Sequence, residues 1–294
     1  MTHNRLRVVL LAALVSLSCC EVPAQPLTLK LRRLVQNTDS PNQWQVSERA
    51  VEWDPAGTAA VICDMWNQHW CKGATARVAE MAPHMNQTVA ELRKRGVLII
   101  HCPSETMKFY EGSFGRKVAQ AAPKVPVKET LPGSCALVSV KEPPLPLDDS
   151  DGGCDDEPQC AQRSPWRHEI STLEIKEGDA ITDSSEAYNL MRQRGITNVI
   201  IMGVHENMCI LGRPFSIRQM VVQGQNVVLM RDLTDSMYNP RRKPYVDHFT
   251  GNDLVCWHIE KYWCPTITSN QIIGGKPFHF AADTKPPRVF DSSY

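Results

Sequence analysis

The sequence predicts an α/β fold in three layers (α/β/α), with helices on both faces of a mostly parallel, Rossmann-like sheet, and three observations carry that prediction. Short continuous apolar runs, the form taken by strands buried on both faces, recur at 59–63, 97–100, 199–202 and 226–230. Stretches of helical periodicity alternate with them. Gly96, Gly195 and Gly224 stand where each helical stretch gives way to the next strand. Strand–helix units of this size imply right-handed crossovers within one sheet, and 294 residues with 42% hydrophobic content can bury one substantial core.

In chain order, Arg5 and Arg7 precede an apolar run over 8–17 and the small-residue site Val22-Pro23-Ala24. This is the pattern of a signal peptide over 1–24, with an apolar run too short to span a bilayer. The expectation is export to the periplasm or medium. Leu17-Ser18-Cys19 also has the form of a degenerate lipoprotein site. Residues 25–56 read as an N-terminal extension, 57–272 as the domain and 273–294 as an irregular tail. Within the domain, Val78, Met81, Ala82, Met85, Val89 and Leu92 fall on one helical face. Further helices are expected over 185–194, 208–223 and 253–262. From about 103 to 168 the periodicity fails: Pro123, Pro126, Pro143, Pro144 and Pro146 alternate with an acidic run from Asp148 to Glu157. So long an excursion reads as a covering insertion.

Removing the leader leaves nine cysteines, at 63, 71, 102, 135, 154, 160, 209, 256 and 264. An odd number in an oxidising compartment implies disulfides plus a free thiol, with Cys154 and Cys160 the expected local bridge. Lys+Arg and Asp+Glu both number 32, so no basic face recruits nucleic acid. The acidic run offers hard oxygens to Ca²⁺ but lacks a bidentate Glu at the twelfth loop position, and reads better as a solvated loop. No cofactor and no metal are expected.

Two residues point to chemistry. Asp64 ends the 59–63 strand, and Cys209 stands where the 199–202 strand turns through Gly203-Val204-His205-Glu206-Asn207 into the next helix. Ligands of open parallel sheets bind outside the carboxyl ends of the strands, so both face one crevice. A helix start favours a thiolate and presents N–H groups to an oxyanion, and an acid beside a thiol can shuttle its proton in acyl transfer. Trp66, Asn67, His69 and Trp70 follow Asp64 closely enough to line the same pocket. Arg213, one helical turn after Cys209, is placed either to hold a substrate carboxylate or to pair with an acid.

Asp64 after its strand, together with Gly203-Val204-His205-Glu206-Asn207-Met208-Cys209-Ile210-Leu211-Gly212-Arg213-Pro214-Phe215, resembles the isochorismatase-like and nicotinamidase-related cysteine hydrolases over roughly 57–265. The resemblance implies an Asp, a Lys and a Cys converging on an amide or related carbonyl. It also implies a cis peptide at Val204-His205, with N–H groups of His205 and Cys209 as oxyanion donors, and it is compatible with a homo-oligomer. Two departures stand out. The family lysine falls near Trp166-Arg167-His168-Glu169-Ile170, so Arg167, His168 or Lys176 is expected to supply the cation. The Asp-x-His metal pattern of nicotinamidases is replaced by His101-Cys102-Pro103-Ser104-Glu105. The function these residues imply is cysteine-dependent hydrolysis of a small C–N bond through a thioester. The alternatives are an isochorismatase-type hydrolase and a catalytically silent exported small-molecule-binding protein.

Overall fold

The computed structural model describes residues 25–130, 137–286 and 289–290; the expected signal peptide, Cys135 and parts of the tail lie outside them. Its strands are β1 (Leu27–Asn37), β2 (Ser40–Trp53), β3 (Thr58–Cys63), β4 (Leu98–Cys102), β5 (Ala180–Ile181), β6 (Asn198–Val204), β7 (Asn226–Asp235) and β8 (Thr266–Ile267). The helices are α1 (Lys72–Lys94), α2 (Phe114–Gln120), α3 (Glu186–Gln193), α4 (Cys209–Gly212), α5 (Ile217–Val222), α6 (His248–Tyr262) and α7 (Asn270–Ile273). One eight-stranded sheet runs in the order β2-β1-β8-β7-β6-β3-β4-β5. It is parallel from β8 to β5 and antiparallel where β1 meets β8 and β2.

The strict alternation of a strand divides the core. Ala59, Val61 and Cys63 join Ile100, Val199, Ile201 and Leu229 on one face, covered by α3, α5 and α6. Ala60, Ile62, Ile99, Ile200, Met202 and Met230 face the opposite way, onto α1 and α7. This is the three-layer architecture expected from the sequence.

Three elements differ from expectation. The extension is no appendage: β1 and β2 form a long hairpin on the sheet, and Leu27, Leu29 and Leu31 are buried in the α1 layer at every second position. The helix expected over 208–223 is split into α4 and α5, because Pro214 excludes the helical conformation at the residue before it. Arg213 is accordingly extended, at φ −71° and ψ 157°. Within the insertion, Ser113 caps α2 through a bond from the Arg116 N–H, a helix too short for periodicity to reveal.

The insertion is tied to the domain by polar contacts, not by the expected bridge. Cys154 and Cys160 are separate thiols, both directed at Asp156 Oδ2, at 3.3 and 3.2 Å. The acidic run is woven into the fold instead of being left solvated. Asp149 accepts from Asn207, Asp151 from Asn239 and Asp156 from the Lys72 N–H, while Asp155 pairs with Arg77.

Candidate active site

β3 and β6 bring the two reactive residues together. Cys63 lies in register with Gly203, and a Cβ on Gly203 would fall 2.0 Å from the Cys63 carbonyl oxygen. Gly203 also holds φ +113°, so only glycine lets the strands close here. Beyond this contact the chains diverge: Asp64 turns through φ +49°, and Val204-His205 is a cis peptide, as the resemblance implies. The turn from His205 to Cys209 is held by β7. Glu206 N–H donates to the Asp235 carbonyl at 2.8 Å, and the Asn207 amide exchanges two hydrogen bonds with the Met237 backbone. Cys209 thereby becomes the first residue of α4, 8% exposed.

Asp64 is fully buried at the carboxyl edge of the sheet and accepts from the Ser104 N–H at 2.7 Å. Arg213 Nε lies 3.5 Å from its other oxygen, and Cys209 bears on both side chains. Burial raises the Asp64 carboxyl above its ordinary range, against the opposing pull of Arg213, Cys209 and Ser104. A carboxylate made more basic in this way is a better acceptor for a thiol proton.

The cation beside Asp64 and Cys209 is therefore Arg213, in the acid-pairing one of its two sequence readings, and not one of the three residues expected near the family lysine. Arg167 is exposed, with its guanidinium on the Ser164 and Trp166 carbonyls. Lys176 pairs with Glu174 at the surface. His168 bonds the Glu169 carbonyl through Nδ1 and lies against Phe109. The break before Pro214 swings Arg213 out of the helical path, and this is what lets it return to Asp64.

The segment carrying those three residues does reach the site, through its neighbours. Trp166 stacks on Trp66 at 4.6 Å, and the Trp66 indole N–H donates to the Ser104 carbonyl. His69 lies 5.7 Å from Trp166 and 4.9 Å from His205, completing an aromatic wall that reaches the His205 turn. Burial, reinforced by the Arg77 charge, brings His69 down to about 4, and burial pushes His205 down as well, so both imidazoles are neutral at pH 7. Asn67 and Trp70 do other work. Asn67 Oδ1 accepts from the N–H groups of Arg167 and His168, pinning the insertion, and Trp70 packs on the cluster of Cys71, Cys154 and Met237.

Sequence reasoning missed Glu169. Its carboxylate meets His101 Nδ1 at 2.7 Å, and Asp179 holds the other ring nitrogen at 3.3 Å, all three buried. No motif marks these three residues, which are brought together only by β4, β5 and the insertion.

Fold and site together define an α/β protein with a cysteine, an aspartate and an arginine converging at the carboxyl edge of a parallel sheet. Solved structures it resembles include isochorismatase-family and cysteine-hydrolase proteins. One is a cysteine hydrolase from Pseudomonas syringae pv. phaseolicola, 17% identical, with a TM-score of 0.47 over 74% of this chain and 92% of that one. Another is an isochorismatase from Pseudomonas putida, 11% identical, with a TM-score of 0.44 over 74% and 91%. A third is N-carbamoylsarcosine amidase from Thermoplasma acidophilum, 10% identical, with a TM-score of 0.40 over 73% and 97%. No family model matches the sequence, and neither does any curated protein.

Proposed function

We propose that the chain is an exported, cysteine-dependent hydrolase of a small amide or related C–N bond. The observation that carries this reading is the convergence of Cys209, Asp64 and Arg213. Asp64 takes the thiol proton, and the Arg213 guanidinium balances the thiolate that results. The sulfur attacks the substrate carbonyl carbon, and N–H groups of His205 and Cys209 hold the developing oxyanion. As the C–N bond breaks, Asp64 returns the proton to the leaving nitrogen, leaving a thioester. Water then gives a proton to Asp64 and adds to the thioester; the acid departs and the proton returns to sulfur.

Two further features support a small polar substrate. His205 Nε2 is buried without a hydrogen-bond partner among the described residues, and a buried polar atom of this kind suits pairing with a polar atom of a substrate. The stacked Trp66 and Trp166 offer a flat apolar wall for a planar amide or ring. No helix of the described residues is long and apolar enough to cross a membrane.

The test is the rate of Cys209 alkylation by iodoacetamide across pH 5 to 9, followed by an amide screen with intact-mass detection of the acyl-enzyme. The expected result is a thiol that titrates below the ordinary value of about 8.5, and an acyl adduct that disappears in Cys209→Ala. Ordinary reactivity with no adduct would favour the silent binding protein, a reading that draws on the replacement of the family lysine by an arginine.

A further inference from the structure

A second cluster of reactive side chains lies outside this centre, where the insertion meets the start of α1. The ligand atoms of Cys71, Cys154 and Asp156 lie within 4.8 Å of one another. Cys160 joins them, its sulfur 3.2 Å from the same Asp156 oxygen that Cys154 approaches at 3.3 Å. Cys71 and Cys154 are completely buried. Two buried thiols and one carboxylate thus lie close together, with the third thiol on that same carboxylate, contributed by two segments far apart in sequence.

We propose that Cys71, Cys154, Cys160 and Asp156 form a structural site for one thiophilic divalent cation of the zinc class, which fastens the insertion to the start of α1. Three lines of argument lead there. The donor set, soft sulfurs with one hard oxygen, is that of a closed four-ligand zinc site. The spacing fits as well: sulfur and oxygen sharing a tetrahedral zinc ion stand about 3.5 Å apart, close to both distances observed. Finally, the backbone is already arranged around anionic ligands. Ala74 N–H donates to the Cys71 sulfur at 3.4 Å, and the Lys72 and Gly73 N–H groups hold the Asp156 carboxylate.

A disulfide between Cys71 and Cys154 is the competing use of the same sulfurs. It leaves the third thiol and the centred carboxylate without a role, whereas a cation engages all four groups. On binding, each ligating thiol gives its proton to solvent and each sulfur donates a lone pair to the metal; no oxidant is needed.

The site also bears on the candidate active centre, because the Cys71 N–H donates to His69 Nδ1 at 3.2 Å. Metal at Cys71 therefore fixes the orientation of one member of the aromatic wall without taking part in the chemistry.

The test is a Co²⁺ titration of the reduced, full-length protein, with metal content measured after dialysis. The expected result is one equivalent per chain, a thiolate-to-cobalt charge-transfer band, displacement by Zn²⁺, and retention of the band in Cys209→Ser. The band should be lost in Cys71→Ser and weakened at least tenfold in affinity in Asp156→Asn, which leaves all three thiols in place. Absence of the band in the reduced wild type, or its survival in Cys71→Ser/Cys154→Ser, would overturn the proposal. So would mass mapping that finds Cys71 joined to Cys154 in metal-free protein isolated without reductant. Because Cys209→Ser keeps the metal site and removes the nucleophile, failure of the hydrolase reading and failure of the metal site are read separately.

Discussion

Arg213 lies beside Asp64 and Cys209 because the next residue is a proline. A guanidinium about 4 Å from an anion, at the intermediate dielectric of a part-buried site, stabilises it by up to about 4 kcal/mol before its own desolvation is counted. Arg213→Gln is therefore expected to slow Cys209 alkylation at pH 7 by at least about tenfold. Arg167→Gln and Lys176→Gln should leave the rate unchanged, and equal effects from all three would show that the cation was misplaced. His101 makes a different kind of prediction. Burial opposes its cation, but the Glu169 and Asp179 carboxylates prevail and hold its pKa at about 9, against an ordinary value of 6.5. The folded protein thus binds this proton more tightly than the unfolded chain. The stabilisation is whole below about pH 6.5 and fades as pH rises through about 9, with a ceiling of about 3 kcal/mol. His101→Gln should accordingly melt well below wild type at pH 6, with the gap closing by pH 9.5; a gap independent of pH would refute the assignment.

Among the elements, the β3–β6 pair carries the site, and its weak point is Gly203. A methyl group there would meet the Cys63 carbonyl oxygen at 2.0 Å in a backbone conformation that disfavours side chains. Backbone against backbone leaves no flexible atom to give way, so the strands must part. Gly203→Ala is expected to cost about 3 kcal/mol or more and to separate Asp64 from Cys209. Urea unfolding measures the first effect and the alkylation rate the second. Gly96, with nothing within 4 Å of its would-be Cβ but φ +94°, provides a milder comparison. The sequence announced both strands and Gly203 at the end of the second, but neither their pairing nor the close approach at Gly203, which depends on the register between two strands about 140 residues apart.

For the whole molecule, the hairpin of β1 and β2 closes one side of the sheet. Its inner face buries Leu27, Leu29, Leu31 and Trp53 against residues of the α1 layer. Each such side chain contributes about 1.5–3 kcal/mol through burial. Deleting residues 25–53 exposes that apolar surface together with the unpaired edge of β8, so the shortened chain is expected to aggregate. Size-exclusion chromatography of the two proteins decides this, and a monodisperse, equally stable deletion would show the hairpin to be dispensable.

The α/β class, the succession of buried strands and helices along the chain, and the candidates Asp64 and Cys209 were legible in the sequence. Apolar runs, helical spacing and turn glycines are local signals, and a strand-end acid and a cysteine at a strand–helix junction are placed by the topology those signals imply. The alternation of Leu27, Leu29 and Leu31 is equally local and went unread, and by itself it says only that a strand has a buried face and not which sheet it joins. Other assignments were beyond local reading: Arg213 as the cation, Asn67 as a tether, Trp166 as a wall, and the gathering of Cys71 with Cys154, Cys160 and Asp156. Each depends on where a side chain points after a helix breaks or an insertion folds back. Contacts across 80 or more residues are fixed by the packing of the whole chain, so only the tertiary structure could decide them.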